Sequence, residues 1–266
     1  MFDTGRVTAS IAEHDPAPGA DRRSRVERLR ALVDRTRPVT LAEQRVLPVL
    51  PTLEQLLTTG AGAAGLRRGS VVGVAGYSGA TTLALALAAG PTRSGSWAAF
   101  VGLPELGWAA AEELGVDLSR VVVVRPTASA RPTVVAALLD AFDVVVVGFD
   151  GAPGAVEARR LAARARERGS VLVVVGGRIG GVGRSRRAWP TGTEVELTVI
   201  ESTWSGLEEG AGHLRQRRAV VEVGGRGGWQ RARRVELLLP GPAGQVSVVE
   251  ERSGADAVVT PLRRVG

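Results

Sequence analysis

The sequence has no cysteine, which excludes disulfides and thiolate metal centres. His14 and His213 are its two histidines, too few for a histidine-based metal cluster. Aromatics make up 4% of the residues. No apolar run nears the roughly 20 residues that cross a bilayer as a helix, and the first residues lack the charged-then-apolar pattern of a signal peptide. The expectation is a cytoplasmic protein with no membrane contact. All 34 basic residues are arginine, so there is no lysine. Any mechanism that needs a lysine ammonium at a phosphate is therefore closed to this chain.

What is there suits an α/β domain. The 266 residues have 44% hydrophobic content, enough for one sizeable core with flanking arms. Val121–Val124, Val144–Val147 and Val171–Val175 are short β-branched runs bounded by turn residues, the pattern of strands buried on both faces. Helical stretches alternate with them: Thr81–Ala88 ended by Gly90-Pro91, Glu105–Leu114, Thr133–Phe142 and Val156–Arg168. The alternation predicts a parallel sheet covered on both faces. From Glu194 the pattern changes. Glu194–Ile200, Arg218–Val223, Val235–Leu239 and Val246–Glu250 read as strands without intervening helices, an antiparallel extension. Residues 1–20 read as disordered, 21–52 as a helical arm and linker, 53–250 as the core and 251–266 as a flexible tail. In the arm, Val26, Leu29, Leu32 and Val33 form an apolar stripe at helical spacing. It is a candidate partner-binding surface, or it folds back on its own core.

The organising stretch runs from Gly69 to Leu85, a strand, a glycine turn and a helix start. That is the layout of a phosphate-binding loop, in which backbone N–H groups at a helix N-terminus hold the anion. Its chemistry is degenerate. Only Tyr77 and Ser78 separate Gly76 from Gly79, and the lysine slot is Ala80. Counting from Gly73 fits the length better but supplies no lysine. Thr81 stands in the magnesium-binding slot and Thr82 follows. A metal-holding carboxylate is expected at the tip of the Val144–Val147 strand; the tip is Gly148, and Asp150 lies two residues on. Glu105 is the one candidate base for water, and as a helix N-terminal carboxylate it has a simpler role. Past the Val171–Val175 strand, where the RecA-type proteins that this layout resembles carry a nucleotide-sensing amide, stand Gly176-Gly177. Four missing or displaced parts predict a protein that is not an ATPase and has no cofactor, although the turn can still hold an anion weakly.

The formal net charge is +7, a balance that suits nucleic acid or an acidic partner. Arg178, Arg184, Arg186, Arg187 and Trp189 form a glycine-rich segment with cations for phosphate and a ring to stack on a base. It is a candidate DNA-binding loop, or else a solvated loop. Trp204 and Trp229 read as packing anchors beside turns. Arg215, Arg217, Arg218, Arg231, Arg233 and Arg234 read as a basic sheet edge that discourages strand-to-strand aggregation.

The order of these elements resembles RecA recombinases over roughly residues 53–250. The segment Gly65–Gly76, Leu114-Gly-Val-Asp117 with the strand after it, and Glu194–Val199 with the late hairpin carry the resemblance. More closely, Val101-Gly-Leu-Pro-Glu-Leu-Gly107, Trp204-Ser-Gly-Leu207 and Leu237-Leu-Leu-Pro-Gly241 resemble the RecA-like accessory proteins of the actinobacterial mutasome, the ImuA-prime family. The resemblance implies a degenerate RecA-like P-loop core. It implies a non-catalytic role in DNA-damage-induced, error-prone translesion synthesis, near the nucleoid. The implied partners are a Y-family polymerase homologue (ImuB) and, through it, an error-prone C-family polymerase. Two alternatives are a RecA-like module that binds single-stranded DNA and a cell-division inhibitor with a reduced RecA-like fold.

Overall fold

The computed structural model describes residues 46–58, 64–76, 78–103, 106–149, 153–176, 189–208, 211–226 and 232–249. The chain divides after Thr40 into two units, and every described residue belongs to the second. The expected helix over 21–36, with Val26, Leu29, Leu32 and Val33, lies outside the described residues, as does the tail.

The elements in chain order are β1 (Val46–Leu47), α1 (Pro51–Leu57), β2 (Leu66–Arg67), β3 (Val71–Gly76) and α2 (Ala80–Arg93). Then come β4 (Ala98–Val101), α3 (Trp108–Glu113), β5 (Val121–Val124), α4 (Arg131–Leu139), β6 (Val144–Gly148), α5 (Ala155–Arg168) and β7 (Val171–Val175). The chain closes with β8 (Val195–Glu208), β9 (Ala211–Gly225), β10 (Arg233–Leu238) and β11 (Ser247–Val248). Nine strands form one sheet in the order β11-β10-β9-β8-β3-β7-β6-β4-β5. The run from β8 to β5 is parallel, and β8, β9, β10 and β11 pair antiparallel. The expected mixed α/β architecture, with its antiparallel C-terminal extension, is present.

The valine runs show why. Side chains alternate across a strand, so a run that is apolar at every position feeds two cores. On β7, Val171, Val173 and Val175 join the core beneath α1, α2 and α3, while Leu172 and Val174 join the one beneath α4 and α5. On β6, Val144 and Val146 take the first side and Val145 and Val147 the second.

Three expectations need correction. Packing extends ahead of residue 53: β1 pairs with β2, and Leu47 and Val49 are buried in the first core. Helix α2 does not stop at Gly90-Pro91 but runs on to Arg93. The segment entering α1 crosses the helix at Gly90, where a Cβ would lie 2.5 Å from Val49 Cα and 2.6 Å from Pro48 O. Glycine admits that crossing, and burial of Thr92 holds the last turn, its hydroxyl donating to Ala88 O at 2.8 Å. Packing thus outweighs the helix-breaking tendency of both residues. Finally, β8 and β9 have 14 and 15 residues, far beyond the expected Glu194–Ile200 and Arg218–Val223. Their pairing continues from Glu201 to Glu208 past the end of β3, with bulges near Ile200 and Gly206.

Candidate functional site

The glycine turn leads out of β3, whose first five residues are buried. Gly76 has φ +146°, and a Cβ there would lie 2.8 Å from Val199 O on β8. Strand β8 approaches too closely for any other residue. Gly79 is the residue before α2, left-handed at φ 96°, with no side chain capping the helix. Leu83 N donates to Gly79 O at 2.9 Å and so closes the first helical turn. The preceding N–H groups have no partner within the helix, as at any helix start. Thr81 and Thr82 are half-buried, and Ala80, in the lysine slot, is 7% exposed and joins the first core. Ser78 Oγ lies 3.3 Å from Ser202 Oγ of β8.

A cation reaches this turn from the other end of the sheet. Arg217 on β9 faces Trp204 on β8, with its Cζ 5.1 Å from the ring centre. Its Nε donates to Leu239 O at 2.6 Å. A Cβ on Gly79 would meet Arg217 Cζ and Nη2, each at 3.2 Å, so the guanidinium lies directly against the turn. Arg217 is 5% exposed, and its Nη2 is buried without a hydrogen-bond partner. Burial pushes its pKa down from the ordinary value, yet a guanidinium stays charged at neutral pH. The expectation that Arg217 lies on an exposed basic edge is corrected: β9 is an interior strand. Arg218 and Arg234 pair with Glu236 and Glu222 across β9 and β10. The sequence signal that sets Arg217 apart is its phase with the buried Ala219, Val221 and Val223.

The neighbouring strand tips are closed. A Cβ on Gly148, at the end of β6, would lie 2.6 Å from Leu103 Cδ2 and 3.0 Å from Gly102 O. A Cβ on Gly102 would lie 2.8 Å from Arg131 Nε and 2.9 Å from Gly148 O. At both glycines a side chain would press on its neighbours, Leu103 and the Gly102 carbonyl at one, Arg131 and the Gly148 carbonyl at the other. At the end of β7, Gly176 N donates to Val74 O at 2.7 Å and extends the ladder to β3.

Trp189 departs from its expected role. It is 1% exposed and packs in the second core, 6.3 Å from Phe149 between ring centres. Its ring is therefore not a free stacking face for a base. Trp204 is not beside a turn but midway along β8. Asp150, Tyr77, Glu105, Trp229, Arg178, Arg184, Arg186 and Arg187 lie outside the described residues. The structure thus brings together Gly76, Ser78, Gly79, the start of α2, Ser202, Trp204 and Arg217.

No helix among the described residues is long and apolar enough to cross a membrane. The chain is similar in structure to the RadB recombinase, with a TM-score of 0.50 and 18% identity over 75% of this chain and 97% of the other. The fold is RecA-like. Residues 60–181 match the family model described as the MT3502 N-terminal domain. The uncharacterized protein Rv3395c of Mycobacterium tuberculosis (strain ATCC 25618 / H37Rv) is 40% identical over 151 residues, covering 56% of this chain and 71% of that protein. With identity at that level over most of the relative, the chain belongs to the family of Rv3395c.

Proposed function

We propose that this protein is a non-catalytic RecA-like accessory subunit of DNA-damage-induced, error-prone translesion synthesis. It works by contact with a Y-family polymerase homologue of the ImuB kind and, through it, with an error-prone C-family polymerase near the nucleoid. One observation carries the non-catalytic part of the reading. The fold keeps the P-loop strand, turn and helix, while Ala80 is a buried core residue and the Gly148 tip is packed against Leu103 and Gly102. A phosphoryl-transfer site needs a cation at the terminal phosphate and a carboxylate-held metal beside it. At these two positions the chain carries a methyl group and a glycine, and neither supplies the cation or the carboxylate.

For partner contact, two features support the reading. Strand β5 is the sheet edge, bonded to β4 on one side, and its Val123 is 40% exposed. An open edge of this kind can accept a strand from another chain. The apolar stripe of Val26, Leu29, Leu32 and Val33 offers a second contact by its sequence pattern. The decisive measurement is co-purification with the polymerase homologue, using the full chain, the chain lacking residues 1–36, and Val123→Asp. Loss of the complex in either variant, with the thermal midpoint of the core unchanged, is the expected result. Full capture by both variants would refute the contact, and steady magnesium-dependent ATP hydrolysis that falls on Thr81→Ala would refute the non-catalytic reading.

A further inference from the structure

We propose that the start of α2 is a metal-independent binding site for a phosphate-sized oxyanion, with Arg217 as its cation. This goes beyond the accessory role and does not depend on it. Helix α2 has 14 residues and no side-chain cap at Gly79, so its first N–H groups and the positive end of its dipole face the turn. That end attracts anions and repels cations. Yet the group set against it is a guanidinium, with Cζ and Nη2 each 3.2 Å from the point where a Gly79 Cβ would be. Arg217 is 5% exposed, and its Nη2 has no hydrogen-bond partner. Among the described residues the guanidinium meets a carbonyl, Leu239 O, and the Trp204 ring, and neither cancels a full charge. A buried cation calls for a compensating anion, and so does the helix end beside it. One oxyanion accepting from Nη2 and from the first turn of α2 answers both. The Ser78 and Ser202 hydroxyls, 3.3 Å apart at the same turn, add donors.

The site takes the anion itself, not a metal complex. Gly148, at the tip where a metal-holding carboxylate is expected, carries no side chain, and one built there would press on Leu103 and the Gly102 carbonyl. The ligand class is therefore a free phosphate, or the phosphate end of a nucleotide, bound with no metal bridge. In a phosphate-based P-loop the cation comes from the helix start itself; here it comes from β9, 137 positions later than Ala80 by the numbering (217 − 80).

The test uses the full chain in chloride buffer with EDTA, at matched ionic strength. Sodium phosphate, pyrophosphate and ADP are each titrated, followed by phosphorus-31 line broadening and by the thermal midpoint. Saturable binding that EDTA leaves unchanged is expected, weakened about tenfold or more in Arg217→Met, as for loss of a charged hydrogen bond. Arg217→Lys keeps part of it. Tighter binding of ADP than of phosphate assigns the site to nucleotides; equal binding assigns it to the free anion. Absence of saturable binding to the wild type with all three probes would overturn the proposal, whether or not the variants fold. Undiminished binding in Arg217→Met, or binding that requires magnesium, would do the same.

Discussion

The two ends of the sheet are built on different terms. From β3 to β5 the strands are parallel and short, and valine fills most positions on both faces. From β8 to β11 they are antiparallel, β8 and β9 run to 14 and 15 residues, and one face carries charges: Arg218 with Glu236, and Arg234 with Glu222. Parallel strands need helices on both sides, whereas antiparallel ones tolerate water on one. The difference divides the labour of the molecule. The parallel end sets the fold and holds the glycine turn in place. The antiparallel end delivers Arg217, a buried guanidinium that meets that turn.

The largest expected effect lies in the parallel end. Phe100 on β4 is 1% exposed and meets Trp108 of α3 edge-on, with ring centres 5.7 Å apart. Phe100→Ala should lower unfolding stability by about 3–5 kcal/mol, read from urea denaturation. A loss under about 1 kcal/mol would mean that this end packs as loosely as the solvated one.

Next comes a polar tie at the rim. Arg68 Nη1 donates to Asp143 Oδ1 at 2.8 Å, with both side chains largely buried, and Trp97 N donates to Asp143 Oδ2 at 3.1 Å. Asp143 thereby binds the turn before β3 to the starts of β4 and β6. Asp143→Ala leaves a buried guanidinium and an amide short of partners, a cost of about 2–3 kcal/mol. Glu236→Ala on the other end removes only the exposed partner of Arg218, worth under about 1 kcal/mol. Equal losses from the two would erase the contrast. Gly148→Ala falls between them, at about 1–3 kcal/mol, because the new Cβ crowds Leu103 and the Gly102 carbonyl.

How far the sequence was readable follows the same division. The valine runs on β5, β6 and β7 and helix α5 lie within a residue of their expected bounds, because their signals are local: β-branched runs, and Gly169 in a left-handed C-cap. Missed features depend on distant contacts. Helix α2 passes Gly90-Pro91 because Pro48 and Val49 cross it there. Trp189 looked like a stacking ring in an arginine-rich loop, yet it is buried next to Phe149. The glycine turn was legible as a phosphate-loop remnant. Its cation was not, since Arg217 stands among arginines that are mostly exposed, and only its phase with Ala219, Val221 and Val223 sets it apart.

The smallest effect concerns acid. Asp140, at the end of α4, takes a two-pronged bond from Arg164 of α5, Nε to Oδ1 at 2.5 Å and Nη2 to Oδ2 at 2.6 Å, and Arg168 Nε lies 3.2 Å away. The Arg164 bond holds the carboxyl below its ordinary value of 3.8, partly opposed by burial, with the Arg164 and Arg168 charges adding to the fall. A carboxyl depressed by folding stabilises the native state above its unfolded value and loses that contribution as pH drops through the folded one. The clamp should therefore hold at neutral pH and weaken below about pH 4. Because both side chains are about one-third exposed, solvent screens the pair and the gain stays small. Asp140→Asn should cost under about 1 kcal/mol at pH 7 and nothing more below about pH 3, so its stability curve converges on the wild-type curve in acid. Urea midpoints at the two pH values, repeated in high salt, read this directly. Curves that stayed parallel down to acid would show that the clamp holds α4 against α5 by shape and hydrogen bonding, with no share from its charge.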